Sequence, residues 1–155
     1  MKTRLALIVG GIALVAAAVP VVAHHSFAAE FDANKAVKLT GPVTKVEWMN
    51  PHTYFYIDVT EICEGGPDAS KTNAWKCSAT NKSKVPNWGL EMGSPNGLMR
   101  QGWTRNSMKI GDVVTVEGSR AKDGSEIGNA RTVMLGGKRM FAGSSQDQQP
   151  TTPQK

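Results

Sequence analysis

This 155-residue sequence contains three histidines, whose imidazole nitrogens could bind a metal ion. His24 and His25 are adjacent near the amino-terminal end, and His52 follows Pro51 in an Asn-Pro-His segment. If an export leader is cleaved after Ala23, His24 supplies its terminal amine as well as its imidazole. With His52 as the second imidazole and His25 in reserve, this forms a histidine brace, a three-nitrogen set suited to copper. The sequence therefore predicts a copper site at His24 and His52.

Simpler readings of the same histidines stay open. His24 and His25 are equally consistent with a solvated chain start, and His52 with a hydrogen bond to a turn carbonyl. A copper-dependent oxidoreductase is the alternative, and it would also need an axial group and a substrate platform. Tyr54 and Trp48 could take these roles, but their spacing does not require it. Nucleophile elbows, zinc-protease motifs, phosphate loops and dinucleotide fingerprints are all missing from the sequence. We therefore expect a non-catalytic binding or accessory role.

Aromatic residues around the Asn-Pro-His segment suggest a second kind of site. Trp48, Tyr54, Tyr56 and Trp88 could form a platform for a small ligand, with Asn50 beside it. The alternative is that the tryptophans pack in the core and that Asn50 serves a turn through side-chain to backbone hydrogen bonds. The hypothesis that follows is a ligand-binding or envelope-adaptor module that needs no metal.

Cys63 and Cys77 are the two cysteines of the chain. In an oxidising compartment this pair predicts a disulfide, which closes a loop of about 15 residues and contributes up to about 3 kcal/mol. A metal site built on the same cysteines would need two further ligands.

Residues 1–23 have the pattern of an export signal. Lys2 and Arg4 precede an uncharged apolar stretch, and Val21 and Ala23 provide the small residues of a cleavage site. An uncleaved membrane anchor is the alternative, because the apolar run is about long enough to span a bilayer. We expect cleavage after Ala23 and a periplasmic or secreted protein. The net charge of +5 is spread along the chain, which argues against a nucleic-acid partner.

Strand-like alternation and turn signals predict a mainly β fold for residues 24–142. A first strand with a bulge near Lys45, a second at Thr53–Val59 and a third at Trp88 precede a short helix opened by Ser94, and two further strands follow. This order is that of a small five-stranded OB-like barrel with a helix between strands three and four. An open antiparallel sheet or a sandwich is the alternative. Residues 61–87 are expected to be a loop insertion, and 143–155 a disordered tail.

Several segments resemble a family of small exported bacterial proteins known only as a domain of unknown function. The segments that carry the resemblance are His24 to Phe27, Gly41 to Trp48, Asn50-Pro51-His52, Trp88 to Glu91, Gly93 to Asn96, Gly102 to Thr104 and Gly111 to Gly118. They span nearly all of the expected mature chain, and the insertion that begins at Cys63 is the main departure. The resemblance implies a secreted or periplasmic domain and implies no activity.

Overall fold

Five strands close into a small barrel that carries the candidate site on its outer surface. The structure is a computed structural model that describes residues 27–81 and 83–143. The predicted export signal, His24, His25 and the tail from residue 144 onward lie outside the described residues. In chain order the elements are α1 (Phe27–Glu30), β1 (Phe31–Glu47), β2 (Tyr54–Asp58), β3 (Glu61–Gly65), α2 (Ala69–Thr72), β4 (Lys76–Ala79), β5 (Asn87–Glu91), α3 (Pro95–Arg100), β6 (Val113–Ala121), β7 (Ile127–Leu135) and β8 (Lys138–Phe141).

The barrel follows the strand order β1-β2-β5-β7-β6 and closes where β6 pairs with β1. All of these pairings are antiparallel except that of β5 with β7, which is parallel. The short helix α3 lies between the third and fourth strands of the barrel. The predicted OB-like fold is therefore confirmed. A closed barrel also leaves no unpaired edge among these five strands, which removes a route to aggregation.

The long strand β1 pairs with three partners because it bends. Its register with β2 shifts between Val43 and Lys45, which is the predicted bulge. Gly41 is required next to this bend, because a Cβ there would lie 2.0 Å from the carbonyl oxygen of Asp58. The register of β6 with β7 also shifts between Glu117 and Gly118. The Gly118 backbone there lies so close to β7 that an added Cβ would meet the Asn129 carbonyl.

Alternating apolar residues fill the barrel. Phe55 and Ile57 of β2 face inward and are fully buried, while Tyr54 and Tyr56 face outward, as the alternation predicts. The end of the barrel is packed by Leu98 of α3. Ser94 caps this helix by accepting a hydrogen bond from the Gly97 amide, and Pro95 occupies its first turn.

The insertion is more ordered than the sequence suggested. Its polar composition predicted a loop over residues 61–87, but β3 and β4 form an antiparallel hairpin within it. Cys63 lies directly opposite Cys77 in this hairpin, and the predicted disulfide joins them. The β3 strand also pairs with β1, so the hairpin extends the barrel sheet. The expectation of a loop was wrong because pairing with β1 supplies strand partners that composition does not reveal.

Candidate functional site

Neighbouring strands β2 and β5 place a tyrosine directly opposite a glutamate on the outer face of the barrel. Tyr54 pairs with Glu91 in the strand register, and the adjacent pair, Phe55 with Leu90, points into the core. Because side chains alternate along a strand, Tyr54 and Glu91 must share the outward face. Strand register therefore creates a polar pair that neither segment shows alone.

Glu91 is the centre of a buried hydrogen-bonded group. Its side chain is 2 % exposed, and its two carboxylate oxygens have different donors. The Tyr54 hydroxyl donates to Oε2, and Nδ1 of His52 lies 2.8 Å from Oε1. A buried carboxylate needs such donors, because burial without hydrogen bonds would cost several kcal/mol. Tyr54, Glu91 and His52 are called the outer-face triad below.

Backbone hydrogen bonds hold the segment that carries His52. The Thr53 amide donates to the Gly93 carbonyl, and the Met92 amide donates to the Thr53 carbonyl. These bonds attach the segment after Pro51 to the chain that leaves β5. The His52 imidazole is thereby kept beside Glu91, and its side chain remains 19 % exposed.

Burial dominates the electrostatics of the triad. It raises the pKa of the Glu91 carboxyl above the ordinary value, while the hydrogen bond from Tyr54 and the proximity of His52 act in the opposite direction. Burial also raises the pKa of Tyr54, and the neighbouring Glu91 carboxylate raises it further. Tyr54 is therefore a protonated donor over the whole physiological range.

The chain start described by the structure lies over this same face. Phe27 and Phe31 stack with ring centroids 5.7 Å apart and pack with Ala121 and Ile127. We call residues 27–31 the amino-terminal arm. The Lys122 amide donates to the Glu30 carbonyl at 2.9 Å, which fastens the arm to β6 and the turn that follows it. The two phenylalanines therefore fix residues 27–31 against the barrel.

Glu30 links the arm electrostatically to the triad. Its negative charge adds to the burial that raises the pKa values of both Tyr54 and Glu91. A surface pocket of about 370 Å³ opens between the arm, Tyr54 and the turn that joins β6 to β7. Its walls include Glu30, Phe31, Tyr54, Asp123 and Ile127.

A second tyrosine–glutamate pair occupies the same face nearer the bulge. The Tyr56 hydroxyl donates to Glu47 over 3.0 Å, and the Lys45 ammonium lies 5.0 Å from the Tyr56 ring centroid. The Glu47 side chain is 26 % exposed, which is far more than that of Glu91. The hydrogen bonds from Lys45 and Tyr56 lower the pKa of Glu47, which is the opposite of the shift at buried Glu91.

The structure brings together only part of the predicted aromatic platform. Tyr54 and Tyr56 are half-buried neighbours on the outer face. Trp48 packs its apolar surface against the core, and Asn50 is exposed before Pro51. Trp88 is 2 % exposed within the core. Its placement on an exposed platform is a misprediction, because it shares a strand face with Leu90 and points into the barrel.

His52 is the one predicted metal ligand within the described residues. Among residues 27–81 and 83–143 there is no group of three or more histidine, cysteine or acidic side chains that could hold a metal ion. Cys63 and Cys77 are joined to each other, which excludes the alternative of a cysteine metal site in this state. Because Nδ1 of His52 contacts Glu91, a metal at this residue would take Nε2.

Glu91 is the site residue that sequence reasoning missed. No motif in the sequence singles it out, yet it is the most deeply buried acidic side chain of the described chain. Alternation in Trp88-Gly89-Leu90-Glu91 indicates only that Glu91 faces away from Trp88 and Leu90. The partners depend on the β2–β5 register and on the arm above them, which local pattern does not specify.

A comparison with known protein families settles the chain's membership. A family of unknown function, DUF6152, matches residues 12–130. The chain belongs to that family. No curated protein and no solved structure matches the chain. The DUF6152 match agrees with the predicted resemblance and contains the whole outer-face triad. In the part of the chain described by the structure, helices are too short or too polar to cross a membrane.

Proposed function

We propose that this protein is an exported, non-catalytic binding protein that captures copper(II) with His52 and a processed amino-terminal His24. One observation carries the proposal, which is the contact between Nδ1 of His52 and the buried carboxylate of Glu91 at 2.8 Å. Metal-binding histidines commonly donate their other ring nitrogen to a carboxylate, which fixes the ring orientation and makes the ligating nitrogen more basic. Glu91 meets that requirement for His52.

The position of the amino-terminal arm supports the second half of the proposed site. Glu30, Phe31 and Tyr54 line one surface pocket, so the arm runs beside the outer-face triad. Only three residue steps separate Phe27 from His24, and an extended chain covers at most about 10 Å in that length. Cleavage after Ala23 would thus release an amine within a short reach of the packed Phe27 ring.

The proposed ligand set has the chemistry that copper(II) favours. A terminal amine and the imidazole of the same residue form a chelate, and Nε2 of His52 adds a third nitrogen. Bound copper would supply a Lewis-acidic and redox-active centre. Tyr54 would act indirectly, because its hydroxyl holds Glu91, which in turn holds His52. His25 is the reserve ligand if His24 does not bind.

The proposal is tested on protein secreted by a bacterial host. Mass spectrometry of the mature chain gives the first residue, and calorimetry with a copper(II) salt gives the affinity. We expect a start at His24 and one tight site, with His52→Ala binding at least about tenfold more weakly. Asn50→Ala, an exposed change two residues away, is the control and should bind as the wild type does. A different first residue, or equal affinity in His52→Ala, contradicts the proposal.

A metal-free ligand module is the second candidate, and the pocket beside Tyr54 favours it. Its volume of about 370 Å³ lies within the range of small-molecule sites, and OB folds bind ligands on this part of the barrel. The half-buried ring of Tyr54 lines it, and Tyr56 lies further along the same face of β2. The copper titration described above distinguishes the two candidates. A metal-free module would show no copper affinity that depends on His52. A copper-dependent oxidoreductase would instead consume oxygen when copper and a reductant are supplied.

A further inference from the structure

A row of four polar side chains crosses the outer face of the barrel from β2 to β6. Tyr54 is paired with Glu91, Glu91 with Asn129, and Asn129 with Ser119 in the registers of neighbouring strands. Residues paired in this way point to the same side of a sheet. The outer-face triad is therefore one end of a longer polar row that continues through Asn129 and Ser119.

The far end of this row is buried, and its polar atoms lack hydrogen-bond partners among residues 27–81 and 83–143. Asn129 and Ser119 are each 1 % exposed. Within the described part of the chain, the Oδ1 and Nδ2 atoms of Asn129 and the Oγ atom of Ser119 have no hydrogen-bond partner. Each such group costs about 1–3 kcal/mol if it is left unsatisfied in a dry interior. Three such atoms on two facing residues require an explanation, and ordered water commonly satisfies buried polar groups of this kind.

The amino-terminal arm explains why these polar groups are buried. Ala121 and Ile127 lie two residues along the same strands from Ser119 and Asn129, and therefore on the same face. Both pack against Phe27 and Phe31. The arm thus covers this side of the sheet and screens the polar row from bulk solvent.

We propose that Asn129 and Ser119 bind ordered water beneath the amino-terminal arm. Facing side chains on neighbouring strands have Cβ atoms about 4.5–5.5 Å apart, which is the span that one water bridges with two hydrogen bonds. The Asn129 amide provides both a donor and an acceptor, and the Ser119 hydroxyl can act as either. A water between them gains the two to four polar partners that buried water requires. The proposal does not depend on whether copper binds.

A high-resolution crystal structure and water–amide NMR contacts test the occupancy directly. We expect water density within hydrogen-bond distance of Ser119 Oγ and of the Asn129 amide group, together with exchange contacts from water to Nδ2–H. Denaturant unfolding of Ser119→Ala gives the energetic test. Removal of one partner of a bridging water should raise the unfolding equilibrium constant about tenfold. Ser78→Ala, on the exposed strand β4, is the matched control and should change it little.

A dry site predicts the opposite result. Loss of an orphaned buried hydroxyl would then leave the unfolding constant unchanged or lower it, because an unsatisfied group is removed. Asn129→Leu extends the comparison, because leucine has a similar shape to asparagine and no polar side-chain atoms. This change should stabilise the protein if the site is dry and destabilise it if the site holds water. Empty density at both residues, or a Ser119→Ala protein as stable as the wild type, overturns the proposal.

Discussion

Glu91 Oε1 lies 2.8 Å from Nδ1 of His52, and this contact defines the candidate site. Glu91 belongs to a barrel strand and His52 to the segment that precedes β2, so the contact joins parts of the chain 39 positions apart. Because the carboxylate is buried and the imidazole is only partly so, the imidazole is held from its inner side.

Loss of the Tyr54 hydroxyl should destabilise the barrel more than loss of the Tyr56 hydroxyl. Tyr54→Phe leaves Oε2 of a buried carboxylate without its donor, which should cost about 1.5–3 kcal/mol of unfolding free energy. Tyr56→Phe removes a similar bond to the more exposed Glu47 and should cost under about 1 kcal/mol. Chemical denaturation of both variants measures the difference. Equal losses would mean that burial of Glu91 does not strengthen its dependence on Tyr54.

Because the pKa of Glu91 is raised in the folded protein, its protonation should increase the unfolding free energy as the pH falls. Its folded pKa lies above the ordinary value of 4.5, so the folded protein binds more protons between those two values. The contribution is fully present below 4.5 and is lost as the pH rises through the folded pKa. The measurement is the unfolding free energy as a function of pH for the wild type and for Glu91→Gln, which does not titrate at this position. The difference between the two curves gives the contribution of Glu91.

Carboxyl NMR gives an independent check on the same residue. Because the Tyr54 hydrogen bond lowers the pKa of Glu91, Tyr54→Phe should raise that pKa further. A Glu91 pKa at or below 4.5 in the wild type would contradict the dominance of burial, and so would a downward shift in the variant.

Most of the barrel could be predicted from sequence because its signals are local. Alternation placed Phe55 and Ile57 inward, Ser94-Pro95 marked the start of α3, and the change of parity near Lys45 marked the bulge. The β3–β4 hairpin was missed because its strands are polar. They are stabilised by the pairing of β3 with β1 and by the disulfide, which local composition does not reveal. Trp88 was misassigned to a ligand surface because aromatic residues have the same sequence signal in a core and on a platform.

The candidate site was only half predictable for a different reason. His52 stands out by its residue type and by Pro51 before it. Three strand pairings are needed to place Tyr54, Glu91, Asn129 and Ser119 in one row, and two of these pairings join segments far apart in sequence. Long-range register is set by the global packing of apolar faces, so a single segment does not contain it.

Gly118 should tolerate no side chain. A Cβ at this position would lie 1.8 Å from the carbonyl oxygen of Asn129, which is backbone and cannot move independently of β7. Gly118→Ala should therefore lower the unfolding free energy by more than about 3 kcal/mol or prevent folding. Gly66→Ala, where an added Cβ meets nothing within 4 Å, is the control and should be close to neutral. Wild-type stability of Gly118→Ala would show that β6 and β7 are further apart than described.

Removal of the disulfide should loosen the insertion hairpin first. Cys63 and Cys77 face each other across β3 and β4, and their separation of 14 residues implies a loss of about 2–3 kcal/mol. Hydrogen exchange of a Cys63→Ala/Cys77→Ala variant should accelerate in β4, whose residues are all exposed, with little change in β5 or β7. Equal acceleration throughout the barrel would show instead that the hairpin and the barrel unfold as one unit.

Glu91→Gln should weaken copper binding although Glu91 is not proposed to touch the metal. Glutamine keeps the side-chain volume and an acceptor for His52, but it removes the negative charge that makes the imidazole more basic. Changes of this kind to the partner of a metal-binding histidine lower affinity about tenfold to a hundredfold. Glu47→Gln is the matched control, because Glu47 is also a carboxylate bonded to a tyrosine on the same face, and it should retain wild-type affinity. Calorimetry on mature protein that begins at His24 measures both, with denaturation curves to establish that each variant is folded. If the two variants lose affinity equally, the effect is one of general surface charge, and His52 is not held for metal binding by Glu91.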